Sequence, residues 1–320
     1  MPPLPDNDFT YDLTDKRIWV AGETGMVGRA VTRQLQSINC QIISAPHSEL
    51  DLTNQQETDD WFFSHTPHIV ILAAAKVGGI AANMKNSASF LSENLSISQN
   101  VINAAKEHGV EKLIYLGSSC IYPKFAQQPI KEESLMGGAL EPTNEAYALA
   151  KIAGLKLSEY YHTQHHCNFV SAMPTNLYGP YDHFHPDTSH VIPALIYKIH
   201  QAKMNNNPTV SLWGTGTPLR EFLHVDDLAR AIITLLRSYH APEPINIGSS
   251  EEISIADLAT LLSDIIGYKG MIQFDTAMPD GTPRKLLDSS KINALGWSAE
   301  YRLRDGLEET YQWFLDHHLL

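Results

Sequence analysis

The run Glu141-Pro-Thr-Asn-Glu-Ala-Tyr147-Ala-Leu-Ala-Lys151 places a phenol and an ammonium four residues apart. On a helix that spacing puts both on one face. A cation beside a phenol lowers its pKa, so such a pair can give and take a proton near neutral pH. Taken alone the pair is more often a solvated helix face, and its partners decide. Leu116-Gly117-Ser118-Ser119-Cys120 supplies two of them. Ser118 can hydrogen-bond a carbonyl oxygen that Tyr147 also protonates, and Cys120 brings a thiol two residues away. A free cysteine is usually a buried structural thiol, and it becomes chemical only where its surroundings favour the thiolate. A third group is Ala21-Gly22-Glu23-Thr24-Gly25-Met26-Val27-Gly28. Glycines there permit a tight turn and let backbone N–H groups approach a pyrophosphate. An isolated glycine triplet reads equally well as a plain turn.

The elements around these residues gather them at one edge of a sheet. Residues 18–21 read as a buried strand directly before the glycines, and 26–37 repeats apolar residues with a helical period. Further strands are predicted at 41–44, 69–73, 112–116 and 169–173, with helices at 90–108 and 144–164. Strands alternating with helices of this length imply an α/β fold, a Rossmann-type doubly wound parallel sheet covered on both faces. In such a sheet the carboxyl ends of the strands line the ligand crevice, and the glycine turn, Ser118 and Cys120 all come after strand ends. The second half is less regular. It holds a polar and aromatic loop at 180–190, helices at 191–203, 225–237 and 305–314, and a strand at 210–213. Residues 1–175 with 224–249 are assigned to the dinucleotide-binding domain, and 176–223 with 250–320 to a smaller mixed α/β substrate lobe. The tail 1–8 is expected to be solvated.

The residues just after the second strand select the nucleotide. A carboxylate there would accept from a ribose 2′-hydroxyl, whereas an arginine would hold a 2′-phosphate. Ser44-Ala-Pro-His47-Ser48 carries neither. Ser44, His47 and Ser48 could donate to phosphate, although a lone His47 equally suits a plain surface. Asp51-Leu52 falls where an adenine edge could be read; an Asp opening a helix as its N-cap is the alternative. His183, His185 and His190 form a possible zinc pattern, but with no nearby Cys to complete a set no metal is expected. His165-His166-Cys167 reads as a surface turn.

Composition removes other classes. The 320 residues are 43% apolar and 18% charged, suited to one large α/β unit or two domains. The longest apolar run, 69–75, is far short of the about 20 residues that a membrane helix needs. The start is acidic and proline-rich, unlike a secretion signal. With 23 Lys and Arg against 36 Asp and Glu the net charge is −13, so nucleic acid is not an expected partner. Three cysteines, at 40, 120 and 167, are too few and scattered for a disulfide framework. A cytoplasmic enzyme is expected.

The combined motifs resemble the extended short-chain dehydrogenase/reductase family, and within it the epimerase-reductases of GDP-sugars. The resemblance rests on Leu72-Ala-Ala-Ala-Lys-Val-Gly-Gly79-Ile80, Gly117-Ser-Ser-Cys-Ile-Tyr-Pro123 and Glu141-Pro-Thr-Asn-Glu145. It continues through Met173-Pro-Thr-Asn-Leu-Tyr-Gly179, Ser189-His-Val-Ile-Pro193, Arg220-Glu-Phe-Leu-His-Val-Asp226 and Asp280-Gly-Thr-Pro-Arg-Lys285. It spans the chain from about Arg17 to the Tyr311-Gln-Trp-Phe helix.

The resemblance implies NADPH-dependent conversion of GDP-4-keto-6-deoxy-D-mannose to GDP-L-fucose, by epimerisation at C3 and C5 and then reduction at C4. It implies that Tyr147 protonates the C4 oxygen beside Ser118, that Lys151 also holds the nicotinamide ribose, and that Cys120 is the epimerising base and His190 the acid. The implied NADP(H) site takes in Gly22, Thr24, Gly25, Met26, Val27 and Gly28, then His47, Asp51 and Leu52. Leu116, Gly117 and Ser118, with Lys151, Pro174, Asn176, Leu177 and His190, complete it. Substrate would meet Asn176, Lys198, Trp213, Arg220 and Asp280, with Arg220 on the diphosphate. For Trp213 and Asp280 a core aromatic and a turn carboxylate are the plain alternatives. A homodimer is implied, through helices that include the Tyr-Lys helix, with Tyr160 and Tyr161 as candidate surface. The family's bacterial members keep arginines for the 2′-phosphate where this chain has Glu23-Thr24 and Ala45-Pro46-His47, so NADPH is expected with NADH tolerated. The competing readings are a plain nucleotide-sugar 4-epimerase or 4-reductase, in which Cys120 does no chemistry, and a non-catalytic dinucleotide sensor.

Overall fold

The computed structural model describes residues 10–186, 188–278 and 280–318; the 1–8 tail lies outside them. The first half alternates β1 (Arg17–Ala21), α1 (Met26–Leu35), β2 (Gln41–Ile43), α2 (Gln55–His65), β3 (Ile69–Leu72), α3 (Ile80–Lys85) and α4 (Ser87–Glu107). It continues with β4 (Lys112–Leu116), α5 (Glu145–His165) and β5 (Phe169–Pro174). The chain then runs through β6 (Asn176–Tyr178), α6 (Val191–Met204), β7 (Thr209–Trp213), β8 (Leu219–His224), α7 (Val225–Ser238) and β9 (Ile245–Ile247). Last come β10 (Glu252–Ser254), α8 (Ile255–Ile266), β11 (Met271–Asp275), β12 (Arg284–Lys285), α9 (Ser290–Ala294) and α10 (Leu303–His318).

The main sheet is parallel, in the order β2-β1-β3-β4-β5-β9. Its central strands are apolar on both faces because helices cover both. Ile18, Val20, Ile69 and Ile71 point to the α1–α7 side, whereas Trp19, Val70, Leu113 and Tyr115 point to the side of α2, α4 and α5. From β1 the chain moves outward to β2 and returns to β3 on the other flank, so the order reverses between β1 and β3. A crevice opens at such a reversal, above the carboxyl ends of the strands.

The smaller lobe is built on β8, which pairs antiparallel with β10 and parallel with β12 and β6. A separate parallel pair joins β7 to β11. Helices α6, α8 and α10 pack around Tyr178, Leu195, Ile199, Leu258, Leu262 and Phe314. Buried Glu221 knits the strands together: its carboxylate accepts from Leu287 N at 3.1 Å and Ser250 N at 2.8 Å. Burial raises its pKa, and those bonds oppose the rise.

Periodicity located most elements of the main sheet and its covering helices within a few residues, but it missed α2, the 12-residue α8, and the strands β8 and β11 of the small lobe. α2 buries only Thr58 and Phe62, too few to show a stripe, and β6, β9, β10 and β12 are two or three residues long.

Candidate active site

The first wall is the glycine turn. Gly22 has φ +91°, a left-handed conformation that suits glycine. A Cβ on Gly28 would lie 2.5 Å from Glu23 Cα and closer still to Gly22 O, so the turn closes only around glycine. Gly25 caps α1 with no side-chain acceptor. The N–H groups of Met26, Val27 and Gly28 therefore keep their donors for an anion, as a helix N-terminus can. A Cβ on Gly25 would meet nothing nearer than Gly22 O at 3.5 Å, which leaves a cradle open above the helix. These features fit a dinucleotide pyrophosphate.

The stretch after β2 exposes Ser44, His47 and Ser48 and buries Ala45, with no carboxylate among 44–48. Asp51 accepts from Thr53 Oγ1 at 2.7 Å and Thr53 N at 2.9 Å, and these bonds lower its pKa, with a smaller contribution from His47. The N-cap alternative for Asp51 is corrected: the cap of α2 is Asn54, which accepts from Gln56 N and Glu57 N. Leu52 lies half-buried beside it, its carbonyl taken by Asn100 Nδ2 at 2.9 Å.

The second wall is the end of β4. Gly117 N continues the ladder to Ala172 O, and Ser118 then turns the chain by accepting from Cys120 N at 3.2 Å. That cap is why the hydroxyl sits at the strand end. Tyr147, in the first turn of α5, lies within hydrogen-bonding reach of Ser118. Lys151 is buried and donates to Leu116 O at 2.7 Å, with its ammonium 5.8 Å from the Tyr147 ring centroid. Burial brings the Lys151 pKa down to about 8. The expected lowering of Tyr147 is not what the structure gives. Burial raises its pKa, the charge of Cys120 and then Tyr115 add to the rise, and the Ser118 bond opposes it. Desolvation of the phenolate dominates, so the resting form is the protonated phenol, which is the form a proton donor needs.

Cys120 has two donors against its sulfur: Asn144 Nδ2 at 3.2 Å and Lys285 Nζ at 3.6 Å. His190 caps α6 on the loop after β6, and Gly79 N donates to Thr188 O of the same loop at 3.0 Å. His190 is exposed as a residue, and desolvation of its ring lowers its pKa, helped by the charges of His183 and Lys285. Among the described residues no group of three or more His, Cys, Asp or Glu is arranged to hold a metal ion.

The third wall belongs to the small lobe. Half-buried Arg220 stands on β8 with its register partner Lys285 on β12, and its guanidinium donates to Leu219 O at 2.9 Å. Trp213 ends β7 at 49% exposure, so it is not a core aromatic, and Lys198 Nζ lies 6.0 Å from its ring centroid. Asp280 spends its carboxylate on Thr215, accepting from N at 2.7 Å and Oγ1 at 2.9 Å. Asn176 donates to Glu221 O at 2.8 Å. Pro174 closes β5 and Leu177 sits half-buried in β6. Three groups went unassigned from sequence although they stood inside the quoted motifs: Asn144, Lys285 and Glu141. Buried Glu141 pairs with Lys124 at 2.9 Å and accepts from Thr282 Oγ1 at 3.4 Å, joining the turn before α5 to the loop before β12.

The model of the NAD dependent epimerase/dehydratase family matches residues 18–248. The chain is similar to GDP-L-fucose synthase 1 of Arabidopsis thaliana, 54% identical over 306 residues that cover 95% of each chain. It is 48% identical to the GDP-L-fucose synthase of Escherichia coli strain K12, over 95% of this chain and 98% of that one. Its fold is similar to a GDP-L-fucose synthetase from Naegleria fowleri solved with NADP bound, with a TM-score of 0.89, 31% identity and 98% of each chain covered.

Proposed function

We propose, from the premise that this chain belongs to the NAD dependent epimerase/dehydratase family and groups there with the GDP-L-fucose synthases, that it converts GDP-4-keto-6-deoxy-D-mannose to GDP-L-fucose with NADPH. The observation that carries this reading is the meeting of Ser118, Cys120, Tyr147 and Lys151 at one strand end: Ser118 caps the turn that holds Cys120, and the Lys151 ammonium, anchored on Leu116 O, lies 5.8 Å from the Tyr147 ring centroid.

C3 and C5 both flank the C4 ketone, so their protons become acidic once the enolate oxygen is stabilised. Ser118 and Tyr147 donate hydrogen bonds to that oxygen. Cys120 removes a proton from one face of the ring, and His190 returns one from the other. Its lowered pKa makes the His190 imidazolium a strong acid once formed. When bound, the reduced nicotinamide supplies a hydride for C4, and Tyr147 gives the developing alkoxide its proton. The glycine turn would hold the pyrophosphate and Lys151 the nicotinamide ribose. At 44–48 no carboxylate opposes a 2′-phosphate, and Ser44, His47 and Ser48 are exposed there as donors. Arg220 would take the substrate diphosphate and Trp213 would pack on the nucleotide, with Lys198, Asn176 and Asp280 around them. The hydrogen bonds of Asp280 favour a role in shaping the loop.

The proposed division, 1–175 with 224–249 for dinucleotide and 176–223 with 250–320 for substrate, is supported by the membership of β9 in the main sheet and of β6 and β8 in the small one. We read the chain as a cytoplasmic homodimer joined through α5, where Leu149, Ala153 and Tyr160 are exposed on one stripe. Tyr161 turns the other way, donating to Asn103 Oδ1 of α4.

The test supplies GDP-4-keto-6-deoxy-D-mannose and NADPH and tracks loss of reduced-nicotinamide absorbance together with product identity. GDP-L-fucose supports the reading. A product reduced at C4 but unchanged at C3 and C5 refutes it.

A further inference from the structure

We propose that Lys285 is the charge partner of the Cys120 thiolate, a positioning residue that holds this sulfur anionic and aimed into the cleft during epimerisation. The inference rests on the reading of Cys120 as the epimerising base.

The geometry begins with strand alternation. Arg284 and Lys285 are consecutive on β12, so they point to opposite faces. Arg284 goes to the outer side, where Nε and Nη2 each donate to the Glu252 carboxylate at 2.8 Å. Lys285 is thereby sent to the inner side, opposite Arg220 in the register. Two cations directly opposite one another repel, and each needs an anion nearby. Arg220 feels the charge of Cys120 first and then those of Glu141 and Asp280, so it is a second, more distant cation for this sulfur. The two carboxylates are already held, Asp280 by Thr215 and Glu141 by Lys124. The contact made by the Lys285 ammonium is with Cys120 Sγ at 3.6 Å, on the far side of the cleft from its own strand.

Asn144 Nδ2 approaches the same sulfur at 3.2 Å from the start of α5, so a cation and a neutral donor flank it. The charge of Lys285 also contributes to lowering the His190 pKa, after desolvation and His183. In the proton step the C–H bond next to the ketone breaks and an S–H bond forms. The electron pair moves onto the C4 oxygen held by Ser118 and Tyr147, and no oxidant or reductant is consumed. Lys285 touches neither carbon nor oxygen in that step. Its contribution is to keep the sulfur charged before the step begins.

The experiment is site-resolved alkylation of the full-length protein with iodoacetamide near neutral pH, read by peptide mass for each cysteine. Only the thiolate reacts appreciably. In K285M the Cys120 rate is expected to fall about tenfold or more, as befits loss of an opposite charge at this distance. In K285R it is expected to stay within about threefold of wild type. Cys40 and Cys167 are half-buried thiols outside the cleft, and their unchanged rates report an intact fold. GDP affinity, measured calorimetrically, is expected to stay within about threefold in K285M. An unchanged Cys120 rate in K285M overturns the proposal. An unchanged rate with GDP affinity reduced more than about tenfold also overturns it and puts Lys285 on the diphosphate. Failure of the underlying reading looks different: C120S would still exchange solvent hydrogen into C3 and C5, whatever the alkylation rates.

Discussion

Two glycines of one turn should fail in different ways. A methyl group on Gly28 would lie 2.5 Å from Glu23 Cα and closer to Gly22 O, and both neighbours are backbone. Neither can rotate away as a side chain would, so Gly28→Ala forces the turn open at about 3 kcal/mol, the upper part of the overpacking range. At this chain length that is about 2 °C per kcal/mol, or a fall of about 6 °C in the melting temperature of the cofactor-free protein. Gly25→Ala meets only Gly22 O at 3.5 Å and keeps an ordinary φ of −78°. Its melt should stay within about 1 °C. The added methyl instead occupies the cradle above α1, and NADPH binding should weaken about tenfold, or ~1.4 kcal/mol. Calorimetric melts and fluorescence titration with NADPH separate the two effects. Equal melts for the two variants would refute the packing argument for Gly28, and a Gly25→Ala protein that binds NADPH like wild type would refute the assignment of the turn to the pyrophosphate.

Tyr147→Phe removes the proton donor but little volume, so turnover in reduction should drop about 10²- to 10⁴-fold. NADPH affinity, by the same titration, should remain within about threefold; comparable losses in both would make Tyr147 merely structural. Burial holds Lys151 at about 8, so it is charged below that pH and neutral above it. The rate constant for reduction should therefore decline as pH rises through about 8, and Lys151→Arg, whose charge persists, should flatten that limb in a pH–rate profile. Trp213 is 49% exposed, so Trp213→Ala should hardly move the melt. It should weaken GDP binding about tenfold by calorimetry, as loss of an aromatic anchor does.

The sequence carried the main sheet because its strands are apolar on both faces and its helices long enough to show a period. It carried less of the small lobe, where β12 spans two residues and β6 three. Ser118, Tyr147 and Lys151 were legible because their spacing along strand end and helix fixes their geometry. Lys285 was not, since its approach to Cys120 depends on the pairing of β12 with β8, a contact across 165 positions of chain. The protonation of Tyr147 ran opposite to expectation for a related reason: spacing shows the neighbouring cation, while burial, the larger effect, is a property of the folded site.

The central claim is that one cleft both epimerises and reduces, with Cys120 as the base. Turnover of GDP-4-keto-6-deoxy-D-mannose with NADPH in heavy water, with the label then mapped in the product, tests it most directly. Deuterium at both C3 and C5 of GDP-L-fucose, lost in Cys120→Ser, is the expected result. A reduced product free of deuterium at those carbons, or one labelled just as fully by the Cys120→Ser protein, would contradict it.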